Sequence, residues 1–106
     1  MLRVILITAL ALMGSASAFA ECVTAKQIIE ANPTATVAAH LDGKNSGAFL
    51  ASAMATTGTE LSEKEVLVLT REGYPSIVIL FQDGCATRRG KFHPMLVEQW
   101  LHGLAG

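Results

Sequence analysis

The sequence predicts a small single-domain α+β sandwich, element order α-β-α-β-β-β-α, in which helices cover an antiparallel sheet. Three observations carry this expectation. Residues 66–69 (Val-Leu-Val-Leu) and 76–81 (Ser-Ile-Val-Ile-Leu-Phe) are apolar at consecutive positions, the pattern of strands buried on both faces. Asp83-Gly84 follows the second run and precedes a more polar stretch, a hairpin signal. Phe49, Leu50, Ala53 and Met54, and later Leu96, Val97, Trp100 and Leu101, recur at helical spacing. Each is one apolar stripe suited to lying on a sheet.

Taken in order, residues 1–20 read as a cleavable secretory signal. Arg3 is the only charge before Glu21, residues 4–13 are almost wholly apolar, and Ala18-Phe19-Ala20 is a small-x-small exit. An apolar run of about ten residues is too short for the roughly 20 of a spanning helix, so no membrane anchor is expected after cleavage. Glu21 stands directly before Cys22, where a lipobox needs a small residue, and this argues against lipidation. Residues 21–106 then form the exported domain, periplasmic or extracellular after cleavage following Ala20. Without Arg3 it keeps seven basic against nine acidic residues. That balance points away from nucleic acid or an anionic membrane as partner.

Thr24-x-x-Gln27 is a capping box that opens the first helix, and Asn32-Pro33 stops it. Residues 34–41 are β-compatible, with Val37 and Leu41 of one parity, and Asp42-Gly43 reads as a turn. Asn45 or Ser46 is the expected cap of a second helix that Gly58 ends. Residues 59–64 form a polar, solvated connector. A central strand over 65–71 follows, then a turn at 72–75, the strand at 76–81, and an edge strand returning over 85–91. Pro94 opens the closing helix, and Gly103 ends it.

Cys22 and Cys85 are the only cysteines. In an oxidising compartment they are expected to form one disulfide, because neither belongs to a Cys-x-x-Cys motif opening a helix. Two free thiols, or redox chemistry or metal binding by this pair, are the alternatives.

The stretch Gly73-Tyr74-Pro75-Ser76-Ile77-Val78-Ile79-Leu80-Phe81-Gln82-Asp83-Gly84, with Gly90 and the helix to Leu101, resembles the carboxy-terminal half of thioredoxin-like domains. The resemblance implies a thioredoxin-like topology as an alternative fold, with Pro75 as a cis-proline. It covers about thirty residues, and the Cys-x-x-Cys nucleophile of that family is absent.

Catalytic motifs are missing. No serine lies in Gly-x-Ser-x-Gly, and there is no glycine-rich phosphate loop. His40 and Asp42 share one side of a strand and could hold a metal with a cysteine, whereas His93 and His102 lack ligand spacing on a helix. No catalytic residue, metal ligand or cofactor is assigned. The local charge concentration is Arg88-Arg89 with Lys91, where adjacent arginines point to opposite faces of a strand. They form either a binding edge for an acidic partner or a charged edge that discourages pairing. The expectation is a small, exported, non-enzymatic protein that binds another protein or an envelope component. A thioredoxin-like thiol protein using Cys22 and Cys85, and a periplasmic metal-binding module, are the alternatives.

Overall fold

The computed structural model describes residues 21–102; the expected signal peptide over residues 1–20 and the expected helix stop at Gly103 lie outside the described residues. Three helices and four strands follow in the expected order: α1 Ala25–Ala31, β1 Thr36–Asp42, α2 Lys44–Thr57, β2 Glu65–Thr70, β3 Ser76–Gln82, β4 Cys85–Phe92 and α3 Pro94–His102. The strands form one sheet in the order β1-β2-β3-β4, and every neighbouring pair is antiparallel. The class is α+β.

The sheet divides two apolar layers. Val66, Val68, Val78 and Leu80 of the central strands meet Phe49, Leu50 and Ala53 of α2 and Val97 and Trp100 of α3. Leu67, Leu69, Ile79 and Phe81 point the other way, toward Ala25, Ile28 and Ile29 of α1. Residues apolar on both parities are what a sheet covered on both faces demands. In the first layer Trp100 packs edge-to-face on Phe49 and Phe92, with ring centroids 5.7 and 5.1 Å away. Its indole N–H donates to Thr56 Oγ1 at 3.0 Å.

Local chemistry sets the boundaries. The Thr24 capping box forms: its hydroxyl accepts from Gln27 N–H while Gln27 Oε1 accepts from Thr24 N–H. Asn32 closes α1, and Gly58 closes α2 in the left-handed region, φ 74°. Asp83 and Gly84 both have positive φ, 55° and 83°, as a two-residue hairpin turn matched to the strand twist requires.

Four expectations need correction. The cap of α2 is Gly43, φ 61°, and not Asn45 or Ser46. Ser46 is buried one turn in, and its hydroxyl donates to the carbonyls of Gly43 (2.8 Å) and Lys64 (2.7 Å). With Gly43 N–H donating to Lys64 O at 3.2 Å, this clasp joins the start of α2 to the start of β2. Second, β1 carries a bulge between Val37 and Ala39. Val37 consequently pairs with Leu69 on the α1 side while Leu41 pairs with Val66 on the other, so the two do not share a face. Third, the connector is not simply solvated, because Glu63 within it is buried.

The fourth concerns the thioredoxin-like alternative. Its hairpin and closing helix are present, but no cis peptide occurs among the described residues, so the bond before Pro75 is trans. A thioredoxin-like arrangement is built on a βαβ unit with parallel strands. Here the strands flanking α2 are antiparallel neighbours, because residues 58–64 carry the chain back to the end of β1 where α2 began. The sheet is a meander.

Candidate functional site

The cationic segment lies on β4, an edge strand paired with β3 alone among the described residues. Its register places Arg88 opposite Leu80 and Arg89 opposite Ile79, hence on opposite faces, with Lys91 opposite Ile77 beside Arg89. A bulge between the Phe81–Ala86 and Leu80–Arg88 pairs inserts Thr87. Bulges re-aim side chains, and this one lets consecutive residues meet a single carboxylate. Glu63 Oε2 accepts from Arg88 Nε at 2.9 Å and from Thr87 Oγ1 at 3.2 Å, while Glu63 Oε1 accepts from Ser62 N–H at 3.1 Å. The Glu63 side chain is 4% exposed and that of Arg88 43%. Arg88 thus fastens the connector to the sheet.

Arg89 and Lys91 differ. Both are exposed, and neither has a carboxylate within ion-pair distance among the described residues. Spaced at i and i+2, they share the face that carries α1. Inward from Arg89 is a cleft of about 190 Å³ between α1 and the sheet. Leu69, Ile77 and Ile79 floor it, Val23 and Ile28 wall it, and Arg89 stands at its rim. α1 is only seven residues long, too short to cover the whole sheet face.

The start of the same edge is occupied. Cys22 and Cys85 form a disulfide, with Cα atoms 4.8 Å apart. Beside it Ala86 N–H donates outward to Val23 O at 2.8 Å. The chain then turns into α1. No other backbone group of the described residues bonds the outer side of β4.

On the opposite face a second cleft, of about 270 Å³, lies between the chain following α2 and β4, lined by Leu61, Val78, Leu80, Arg88, Gly90 and Phe92. The Phe92 ring folds over Gly90, where an added Cβ would come within 2.8 Å of it.

The other sequence candidates are dispersed. His40 Nε2 lies 2.6 Å from Glu65 Oε2, across the β1–β2 pair. His93 Nδ1 accepts from Met95 N–H at the start of α3. Both cysteines are bonded to each other and supply no thiolate. No group of three or more His, Cys, Asp or Glu residues suited to a metal occurs among the described residues. No described helix is long and apolar enough to cross a membrane.

Sequence reasoning missed the burial of Glu63 and its pairing with Arg88, the role of Thr87, and the cleft beneath α1. The one available signal for Glu63 was its alternation with Leu61 just before the apolar run of β2. Comparison with known protein families, characterised proteins and solved structures finds no match to the chain.

Proposed function

We propose that this is a small exported, non-enzymatic domain that binds a protein or envelope component through the α1-side face of β4. The observation that carries the reading is the pair Arg89 and Lys91, exposed on one face of an edge strand beside an apolar cleft and without an acidic partner among the described residues. Two exposed charges next to apolar surface suit recognition of a ligand that is part acidic and part apolar. Arg88, held by Glu63, serves the fold. The disulfide suits an oxidising compartment, and residues 1–20 supply the export signal, cut after Ala20.

Two measurements test this. Cell fractionation and intact mass should find an exported chain beginning at Glu21; a chain kept inside the cell with its leader intact refutes the export claim. A photo-crosslinking amino acid at position 91 should trap a discrete partner in envelope preparations, while the same probe at position 48, on the exposed side of α2, traps none. Equal yields at both positions, or none at 91, refute the binding reading.

A further inference from the structure

We infer that the partner is an extended acidic polypeptide segment that adds to the sheet alongside β4, over residues 88–91, and seats one apolar side chain in the cleft beneath α1. The inference rests on the binding reading above and specifies its mode. Strand addition needs an open row of backbone donors and acceptors for affinity and a pocket for alternate side chains for specificity. β4 presents both side by side. Its outer backbone is engaged at Ala86, by Val23, and nowhere else among the described residues. The segment 21–23 thus touches the outer side of β4 through one backbone bond before the chain enters α1, and the remainder of the edge is open among the described residues.

Charge selects the occupant. On an added strand, the side chains facing α1 recur at every second residue. Two of them would lie beside Arg89 and Lys91, themselves two residues apart on that face. Carboxylates there meet unpaired cations, whereas a second copy of β4 would bring Arg89 and Lys91 against like charges. The same charges thus admit an acidic strand and reject self-pairing. The cleft sets the size of the anchor. An apolar cavity of about 150 Å³ accommodates benzene, and the 190 Å³ here suits one leucine or phenylalanine side chain.

The test is a titration of the purified protein, followed by backbone amide NMR, with seven-residue peptides of alternating threonine. Two glutamates and one leucine fill the three same-face positions, in each of the three possible orders. Controls replace glutamate by lysine, or the central residue by proline. At least one acidic peptide should bind with a dissociation constant on the order of 0.1 mM. Its shifts should centre on the amides of residues 87–91 and Ile77, and the lysine and proline controls should bind at least about tenfold more weakly. R89E/K91E should lose the acidic peptide to the same degree while keeping its fold. The inference is overturned if no acidic peptide binds by about 5 mM, if the shifts map elsewhere, or if lysine peptides bind equally. It is also overturned if vesicles of anionic phospholipid bind through Arg89 and Lys91 while the peptides do not. A partner crosslinked at position 91 whose capture survives R89E in the same chain would overturn this mode and leave the binding function standing.

Discussion

Replacing Arg88 with alanine separates the structural arginine from its neighbour. The substitution removes the 2.9 Å bond to Glu63 and leaves a carboxylate whose side chain is 4% exposed with Thr87 and Ser62 N–H alone. Breaking a fully buried ion pair by removing one partner costs about 3–5 kcal/mol. The Arg88 side chain is 43% exposed, so water screens the pair and can reach the vacated side. This discount brings the expected loss to about 2 kcal/mol. In a domain of this size that is a fall in Tm of roughly 10 °C. Arg89→Ala, which breaks no ion pair, should stay within about 0.5 kcal/mol of the parent. Urea unfolding followed by Trp100 fluorescence at neutral pH measures both variants. Glu63→Gln in the Arg88→Ala background should recover part of the loss, because a neutral amide is less costly to leave unpaired. Equal stability of Arg88→Ala and Arg89→Ala, or strict additivity in the Glu63–Arg88 cycle, would refute the assignment of Arg88 to the fold.

Three further outcomes follow from the same geometry. Cys22→Ser/Cys85→Ser opens a loop closed over a separation of 63 residues and should cost about 4 kcal/mol by loop-closure entropy, measured by urea unfolding against the oxidised parent. Ser46→Ala removes the donor shared by the Gly43 and Lys64 carbonyls and should cost about 1–3 kcal/mol, with faster amide exchange at the start of β2. Gly90→Ala pushes the Phe92 ring off its seat; a loss of about 1–3 kcal/mol should accompany a changed Trp100 emission, since Phe92 packs on that indole.

Much of the fold was legible because its signals are local. The capping box at Thr24, the glycine after α2, the Asp83-Gly84 turn and the proline opening α3 each act within a few residues, and each appears where the sequence places it. Consecutive apolar residues in β2 and β3 foretold burial on two faces. What escaped depends on pairing across the sheet. The bulges at Ala38 and Thr87 invert the alternation on both edge strands, and nothing in TVAAHLD or CATRRGKF marks where. The burial of Glu63 is decided by an arginine and a threonine 24 or 25 residues onward, so its composition in a charged connector suggested solvent. Gly43 became the cap because the clasp to Lys64 already occupies Ser46. The opposite orientation of Arg88 and Arg89 was legible, whereas the different fates of the two required knowing which face carries a buried acid and which a short helix.

The Cys22–Cys85 bond also fixes an order of events. Chain synthesis delivers Cys22 first, and its partner arrives only after α1, β1, α2, β2 and β3 have been made. The contacts among β2, β3 and β4 are between neighbours in sequence, so these strands can assemble as a meander without the amino-terminal segment. The layer beneath α1, by contrast, depends on a segment returning from 63 residues away. Oxidation therefore locks this side of the sheet, and a reducing milieu would leave Leu67, Ile79 and Phe81 guarded by a helix held through noncovalent contacts alone.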